Sequence, residues 1–286
     1  MESKPINDTA YNRFITLILF RINSTNWMRR LRKSPWGIVC VSSKRCIKAG
    51  AFTTLAEANA MRFVAENTSI PVPKVYCSFK HGDRVYILME RVPGRILSED
   101  WSERSEESKA RILDQLRTIA SELRHISPPD HITGVANADG GPICDGRLPD
   151  GPYWGPFQTI DDFHRKLCGG IGGPEEVDDD LEGKLPGLRE LISQYTNLAA
   201  SQKPVFTHND FSPNNIMAEG DKVTAIIDWE MAGWMPPYWE YTSTWHVTPR
   251  LEFWKHEVDK FLEPFPQELE MEKLRRRYFG EFGVDI

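Results

Sequence analysis

The sequence predicts an α+β fold, with strands and one main helix in the first third of the chain and mostly helices after it. Two segments rich in β-branched and apolar residues, 37–41 and 45–48, are joined by a short turn, and two more follow at 75–80 and 84–90. Beyond residue 94 the apolar residues recur at helical spacing. The length of 286 residues suits either one large domain or two lobes.

Composition is that of an ordinary globular protein, with 40% hydrophobic and 27% charged residues. The formal net charge of -6 argues against a nucleic-acid partner, because such binders are usually basic. The five cysteines are odd in number and form no Cys-x-x-Cys pair. They predict reduced thiols and neither a disulfide framework nor a zinc site, which favours a cytoplasmic protein. The sequence gives no indication of the oligomeric state.

Residues 1–33 predict a helical extension ahead of the sheet, because Phe14, Leu17 and Ile18 recur at helical spacing. The apolar run 14–20 is far shorter than the roughly 20 residues that cross a bilayer. Acidic residues precede this run and no small-residue cleavage site follows it, so a signal peptide is not predicted either. The basic run 29–33 is interpreted as a solvated helix face, with phosphates or a membrane surface as the alternative. No membrane partner is therefore expected.

The remaining elements are predicted from the positions of glycine and proline residues and from the periodicity of the apolar residues. A helix is expected to begin near Thr54 and to end before the paired prolines of 71–73, which enforce an extended chain. An amphipathic helix is predicted over 105–125. The Gly-, Pro- and Asp-rich segment 127–158 predicts a long ordered loop or an active-site rim. Further helices are predicted after this segment, at 161–168, 188–200 and 268–279.

A short hairpin late in the chain carries the polar residues on which the functional prediction depends. Turn chemistry pairs Glu219 with Lys222. Counting back from that pair places Asn215 opposite Ile226. Asp228 then lies diagonally from Asn215, roughly 7–8 Å away between backbones, so both side chains can reach one cation.

The loop before this hairpin supplies a third polar residue. Asp210 lies in the run His-Asn-Asp-Phe-Ser-Pro-Asn-Asn, where its carboxylate can accept a proton from an attacking hydroxyl. Asn215 and Asp228 offer the oxygen ligands that Mg²⁺ prefers, often together with substrate phosphates. A base, an amide and a carboxylate in this order match the parts that phosphoryl transfer needs. The plain alternative is a polar hairpin with incidental carboxylates.

These residues resemble the catalytic loop and metal-binding strand of the aminoglycoside phosphotransferase family. The family pattern is His-Gly-Asp, four residues, Asn, and then Ile-Asp-Trp or Ile-Asp-Phe. In this chain Asn209 replaces the glycine, and the acid, the amide and the second acid are kept. If the glycine has a positive φ, Asn209 must adopt it, which asparagine tolerates better than most residues. The resemblance spans roughly residues 46–241. The motif at 68–73 resembles a connector of the family, and the motif at 233–241 resembles a segment common in its fungal relatives.

The resemblance implies a two-lobed protein-kinase-like fold. A small N-terminal antiparallel sheet lobe with one main helix would be followed by a larger, mostly helical C-terminal lobe. The implied divisions are an N-terminal extension at 1–33, a nucleotide-binding lobe at 34–92, and a catalytic and substrate-binding lobe at 93–286.

The resemblance also implies a nucleotide site. Lys48, at the end of the second strand, would bind the phosphates of ATP and be held by Glu57. The alternative is an exposed lysine and an ordinary first-turn glutamate favoured by the helix dipole. The linker backbone around Glu90 to Val92 would hydrogen-bond adenine, although a plain strand end before a Pro-Gly turn has the same sequence pattern.

The predicted function is ATP- and Mg²⁺-dependent transfer of the γ-phosphate to a hydroxyl of a small molecule. Asp210 would orient and deprotonate the acceptor, and Asn215 and Asp228 would hold Mg²⁺. A glycine-rich loop and an Ala-Pro-Glu segment are both missing, which argues against protein substrates. The alternative is a catalytically inactive nucleotide-binding pseudokinase that acts as an interaction module. The acceptor is not identified: aminoglycosides, sugars, amino alcohols and choline-like alcohols are all acceptors on the fold that the resemblance implies.

Overall fold

The computed structural model describes residues 3–32, 37–148, 151–246 and 251–280. The helices in these residues are α1 (Ala10–Asn23), α2 (Asn26–Leu31), α3 (Leu55–Asn67), α4 (Glu106–Arg124), α5 (Ile160–Leu167), α6 (Asp179–Lys184), α7 (Leu188–Ser201), α8 (Trp239–Trp245), α9 (Glu252–Phe261) and α10 (Pro266–Phe279). The strands are β1 (Ile38–Cys40), β2 (Arg45–Lys48), β3 (Val75–His81), β4 (Arg84–Glu90), β5 (Arg95–Ile96), β6 (Ala136–Asn137), β7 (Ile143–Cys144), β8 (Tyr153–Trp154), β9 (Val205–Thr207), β10 (Ile216–Glu219), β11 (Lys222–Ile226) and β12 (Gly233–Met235).

The N-terminal sheet has the strand order β1-β2-β4-β3, and all neighbouring strands are antiparallel. One apolar cluster of the sheet includes Ile47, Phe79 and Leu88. The rings of Phe79 and Tyr86 stack with centroids 5.5 Å apart. This small antiparallel sheet is the one that the strand segments of the sequence predict.

Helix α3 is the main helix of this part of the chain. The Thr54 side chain caps it by accepting a hydrogen bond from the Glu57 amide at 3.2 Å. Its inner face buries Ala58, Met61 and Val64. Because Glu57 falls on the buried side of the first turn, the helix carries a carboxylate into the interior, where burial demands a partner.

A second core lies among the later helices. It is built mainly from aromatic and aliphatic side chains of α5, α7, α8 and α10. The Phe163 and Trp239 rings meet edge to face at 5.0 Å, and His164 bonds Tyr238 through Nε2 at 2.9 Å. Burial lowers the pKa of His164 to about 4, so this imidazole is neutral and structural. The mostly helical character of this region agrees with the predicted fold class.

The chain divides into two compact units. One comprises Met1–Glu122 and Ser212–Glu230, and the other comprises Leu123–Phe211 and Met231–Ile286. The predicted catalytic loop therefore passes from one unit to the other between Phe211 and Ser212. The domain limits predicted after residues 33 and 92 stay predictions, and residue 33 itself lies outside the described residues. None of the described helices combines the length and apolarity needed to cross a membrane.

Candidate active site

Lys48 lies among three carboxylates at the end of β2. Its Nζ is 2.9 Å from Glu57 Oε1, 2.6 Å from Asp228 Oδ1 and 3.2 Å from Glu230 Oε2. Only 14% of the lysine side chain is exposed, compared with 40% for Asp228. The structure thus brings the predicted pair Lys48 and Glu57 together and adds a third acid, Glu230, to which the sequence analysis gave no role.

Electrostatics keep Lys48 charged in this cluster. Burial alone would lower its pKa, but the charges of Glu57, Asp228 and Glu230 outweigh burial and raise the pKa above its ordinary value. Burial also raises the pKa of Glu57 to about 7, although the Lys48 ammonium opposes the shift. Glu57 Oε2 is buried without a hydrogen-bond partner among the described residues. The cluster therefore consists of one ammonium that stays charged and three carboxyl groups that surround it.

The hairpin of β10 and β11 has the predicted turn but not the predicted register. Glu219 pairs with Lys222, as expected. A β-bulge then interrupts the ladder, and Ile216, not Asn215, lies opposite Ile226. The prediction that Asn215 pairs with Ile226 was wrong by one residue, because a bulge places two residues of one strand against one of the other.

The extra residue of the bulge is Thr224, which has no partner in the β10–β11 ladder. Its hydroxyl donates a hydrogen bond to the carbonyl of Pro93 at 2.8 Å. The bulge therefore anchors the hairpin to the turn that follows β4. Neither glycine nor proline occurs within β11, so the sequence contains no conventional signal for this irregularity.

The shifted register brings Asn215 and Asp228 to the same end of the hairpin. The Ile227 amide donates to the Asn215 carbonyl at 2.9 Å, so Asp228 is the residue directly after the one that Asn215 faces. Asp228 has a φ of 64°, which is uncommon for a residue with a side chain and turns the chain immediately after the strand. Asn215 itself is buried.

The Glu240 carboxylate holds the backbone of the loop that carries Asp210. The backbone N–H groups of His208 and Asn209 donate to the two oxygens of this carboxylate at 2.6 and 2.9 Å. Burial raises the pKa of Glu240 to about 7, although these two N–H donors favour its charged form. His208 is fully buried, and its Nδ1 accepts a hydrogen bond from the Asp210 amide at 3.3 Å. These contacts fix the backbone on both sides of Asn209.

Asn209 adopts a φ of 68°, the left-handed conformation expected if the family glycine has one. Its side chain makes contacts that no glycine can make. Oδ1 accepts from Trp239 Nε1 at 2.7 Å and from an Arg147 Nη2 at 3.0 Å. Nδ2 donates to Asp145 Oδ2 at 3.2 Å and to the Met231 carbonyl at 3.3 Å. The residue that departs from the family pattern is thus the centre of a buried network.

Asp145 and Arg147 form a two-pronged ion pair, with Nε to Oδ1 at 2.9 Å and Nη2 to Oδ2 at 2.8 Å. Arg147 Nη2 also donates to the Asn209 carbonyl at 2.7 Å. Burial alone would raise the pKa of Asp145, but Arg147 outweighs burial and lowers it. The Arg147 pKa is raised because Asp145, Asp210 and Glu240 together outweigh the effect of burial. Arg147 is therefore within electrostatic reach of the predicted base.

The backbone of the predicted adenine linker is only partly engaged. The Glu90 amide donates to the Lys74 carbonyl at 2.9 Å, and the Arg91 amide donates to the Lys44 carbonyl at 3.1 Å. No described residue accepts a hydrogen bond from the Val92 amide. Of the residues predicted for this role, Val92 has the backbone donor that a ligand can use.

The described part of the chain contains no group of three or more His, Cys, Asp or Glu side chains placed to hold a metal ion by themselves. A cation at Asn215 and Asp228 would thus need ligands from elsewhere. This arrangement suits Mg²⁺, which usually takes one or two protein carboxylates and completes its shell with phosphates and water.

Residues 51–277 match the model of the phosphotransferase enzyme family known as APH. The chain belongs to this phosphotransferase family. The match includes Glu57, Asp210, Asn215 and Asp228, and it begins three residues after Lys48. The resemblance inferred from the catalytic loop is confirmed by this match.

Solved structures similar to this phosphotransferase share its fold. The apo form of a thermostable mutant of aminoglycoside phosphotransferase APH(4)-Ia is 17% identical, with 85% of this chain and 79% of that chain covered and a TM-score of 0.56. The gentamicin complex of APH(2")-IIa is 18% identical, with 95% and 86% covered and a TM-score of 0.51. These likenesses confirm the predicted protein-kinase-like fold class.

A curated relative of the phosphotransferase is the clavilactone A biosynthesis cluster protein Y of Ampulloclitocybe clavipes. It is 24% identical over 201 residues, which cover 63% of this chain and 50% of the relative. The chain thus spans about half the length of the curated relative that it matches.

Besides Glu230, three residues of the candidate site were not predicted from the sequence. Glu240 lies in the motif 233–241, which was compared only with fungal-type relatives, and Asp145 and Arg147 lie in the loop 127–158, where no individual residue was given a role. The one available signal was the length of that loop, since long segments without regular structure are often functional. Local sequence could not show that the loop meets Asn209, because 62 residues separate Arg147 from Asn209.

Proposed function

We propose that this phosphotransferase transfers the γ-phosphate of Mg-ATP to a hydroxyl group of a small molecule. The observation that carries the proposal is the Lys48 cluster, in which a charged ammonium contacts Glu57 at 2.9 Å and Asp228 at 2.6 Å. Phosphoryl transfer by kinase-like enzymes needs this combination: a lysine for the phosphates, a helix glutamate that holds it, and an acid for the metal.

Nucleotide binding would use Lys48 and the Val92 amide. The raised pKa of Lys48 keeps the ammonium charged throughout the physiological range, so it can neutralise phosphate oxygens. A neighbour in fold, a thermostable mutant of APH(4)-Ia, is described as a ternary complex with AMP-PNP and hygromycin B, at 19% identity and a TM-score of 0.54. A nucleotide analogue and an aminoglycoside are bound in that neighbour, and this supports the same two classes of ligand for the present chain.

Magnesium would be held by Asn215 and Asp228. The donor set fits, because one carboxylate and one amide oxygen stand at the same end of the hairpin and the Asp228 side chain is 40% exposed. Bound Mg²⁺ would supply neutralisation of the charge on the transferred phosphate. Asp228 would have to exchange its contact with Lys48 for the cation, while Lys48 keeps its contact with Glu57.

Asp210 would accept the proton of the acceptor hydroxyl. Its backbone follows Asn209, whose φ of 68° is fixed by the Glu240 carboxylate and by the side-chain network of Asp145 and Arg147. A base held in one geometry lowers the entropic cost of reaching the transition state. Catalysis would then rest on positioning and charge stabilisation, without a covalent enzyme intermediate.

A mass-spectrometric screen of small hydroxyl compounds with Mg-ATP tests the proposal. The wild-type chain should give at least one phosphorylated product and ADP. Asp210→Asn should give no product and yet retain nucleotide binding, whereas the matched control Asp130→Asn, at an exposed loop position, should behave as wild type. Nucleotide at one hundred times its dissociation constant stabilises the folded state by about 2.7 kcal/mol, which a thermal shift detects.

The screen also separates catalysis from the alternative function. A pseudokinase that serves as an interaction module would show the thermal shift with nucleotide but no phosphorylated product from any acceptor. Equal product yields from wild type and Asp210→Asn would contradict the assignment of the base.

A further inference from the structure

Helix α1 has an inner face that is firmly attached to the N-terminal sheet. The Phe20 ring meets Tyr86 edge to face at 5.2 Å, and the buried Thr16 hydroxyl lies 3.5 Å from Cys77 Sγ. Leu17 packs against the apolar cluster of the sheet. These contacts fix the rotation of the helix about its axis, and therefore determine which side chains point outward.

The outer face of α1 is apolar. Its large side chains recur every three or four residues, which places them in one stripe opposite the inner face. They and their exposed fractions are Tyr11 (72%), Phe14 (62%), Ile18 (39%) and Ile22 (55%). On α2, Trp27 and Leu31 are four residues apart and are 71% and 64% exposed. Among the described residues, the other large hydrophobic side chains with comparable exposure are Phe52 and Tyr153.

Charge is segregated in the same part of the chain. Residues 9–56 contain nine Lys or Arg and no Asp or Glu, although the whole chain has a net charge of -6. Helices α1 and α2 with the residue that follows them contain five of these nine, all arginines. Arg13 is ion-paired with Asp8, just outside this segment, and Lys48 is held by its three carboxylates, so the charge available to a partner comes from the other basic residues. Arg21 and Arg30 are exposed. A basic segment with protruding aromatic side chains thus stands out from an acidic protein.

We propose that the outer face of α1 and α2 docks on the surface of an anionic lipid bilayer. Helices with an apolar stripe and basic flanks lie in the plane of the membrane interface, with Trp, Phe and Leu below the headgroups and Arg beside them. Anionic lipids attract such a segment electrostatically. A second copy of this chain would bring like charge against like charge, which opposes self-association through this face.

This proposal concerns peripheral attachment and is independent of the phosphotransfer reaction. It differs from the expectation drawn from the sequence that no membrane partner exists and that the run 29–33 is only a solvated face. The sequence could not show that, within the part of the chain that the structure describes, the apolar side chains on the outer side of α1 are exposed.

Vesicle flotation with the full-length chain tests the proposal. The chain should float with vesicles of phosphatidylcholine and phosphatidylserine, should not float with pure phosphatidylcholine, and should detach as the salt concentration rises because salt screens the attraction. Phe14→Ser/Trp27→Ser should abolish binding. Arg21→Gln/Arg30→Gln should weaken it by roughly 30-fold, since each basic side chain near an anionic surface contributes about a fivefold gain.

Matched controls keep the test specific. Phe52→Ser/Tyr153→Ser removes two equally exposed aromatic side chains elsewhere, and Lys203→Gln/Lys222→Gln removes the same amount of charge at other exposed positions. Both should bind vesicles as wild type does. Thermal unfolding of every variant checks that folding is preserved. If Phe14→Ser/Trp27→Ser does not fold, the vesicle binding of Arg21→Gln/Arg30→Gln tests the proposal instead.

Four results would overturn the proposal. They are no flotation of wild type with anionic vesicles, equal flotation with neutral ones, equal losses in the control variants, and sedimentation showing a dimer that Phe14→Ser/Trp27→Ser dissolves.

Discussion

Replacing Asn209 by glycine, the residue of the family pattern, tests how this chain tolerates its departure from that pattern. The substitution relieves the left-handed conformation, since Asn209 has a φ of 68° and glycine adopts that φ without steric cost. The relief is worth about 1 kcal/mol, the lower end of the cost for a residue with a side chain.

The same substitution removes the hydrogen bonds of the side chain. Trp239 Nε1, which donates to Asn209 Oδ1 at 2.7 Å in a buried position, would lose its acceptor. A buried donor without a partner costs about 1–3 kcal/mol. Asp145 and Arg147 would each lose one bond but keep each other, and the Met231 carbonyl would lose one as well, at about 0.5–1.5 kcal/mol apiece. The losses exceed the relief, so we expect Asn209→Gly to lower the free energy of unfolding by at least about 1.5 kcal/mol.

Urea denaturation measures this change, and two further variants separate its parts. Asn209→Ala loses the same bonds and keeps the strain, so it should be less stable than Asn209→Gly by about 1 kcal/mol. In a Trp239→Phe background no indole donor is left without an acceptor, and the cost of Asn209→Gly should shrink. An Asn209→Gly protein at least as stable as wild type would refute this reasoning, as would equal stabilities of the glycine and alanine variants.

Three other perturbations have outcomes that the structure determines. Burial raises the pKa of Glu240 from its ordinary value of 4.5 to about 7, so the folded state binds a proton that the unfolded state releases in that window. This stabilisation is complete below about pH 4.5 and is lost as the pH rises through 7. Between pH 5 and 8, the free energy of unfolding of wild type, measured in urea titrations, should fall by up to about 3 kcal/mol relative to that of Glu240→Gln. Parallel pH dependences of the two unfolding free energies would contradict this prediction. Lys48→Met leaves three carboxylates without their cation and should cost about 3–5 kcal/mol in the same assay, with part recovered by adding Glu57→Gln; an unchanged midpoint would be evidence against the cluster. Gly94→Ala places a Cβ on a backbone carbonyl of β10 at a φ of 102°, whereas Gly82→Ala has a φ of 58° and no neighbour within 4 Å. We expect a cost of about 1 kcal/mol for Gly82→Ala and at least about 3 kcal/mol for Gly94→Ala, and equal thermal midpoints would contradict this.

The regular elements were predictable because their signals are local. The fourth strand, predicted at 84–90, is observed at Arg84–Glu90, and the amphipathic helix predicted at 105–125 is observed at Glu106–Arg124. Apolar periodicity and turn residues determine such elements without reference to the rest of the chain. The Glu-Gly-Asp-Lys turn likewise gave the correct closing pair of the hairpin.

The features that escaped prediction depend on contacts distant in sequence. The bulge at Thr224 coincides with a hydrogen bond from the Thr224 hydroxyl to the Pro93 carbonyl, 131 residues away. The network of Asp145 and Arg147 forms only when the loop 127–158 meets the left-handed Asn209. The periodicity of apolar residues carries no information about contacts between segments that are distant in sequence. The positive φ at Asn209 was foreseeable only because the family pattern has a glycine there.

Equilibrium titration of ATP, with Mg²⁺ and with a chelator, tests the central claim that Asp228 holds the metal of a nucleotide complex. Wild type should bind ATP more tightly with Mg²⁺, and Asp228→Asn should lose that difference. The matched control is Glu230→Gln, whose carboxylate also contacts Lys48, at 3.2 Å, but is not a proposed ligand; it should keep the difference. An affinity of wild type for ATP that Mg²⁺ does not change, or an Asp228→Asn protein with the full Mg²⁺ dependence, would contradict the claim.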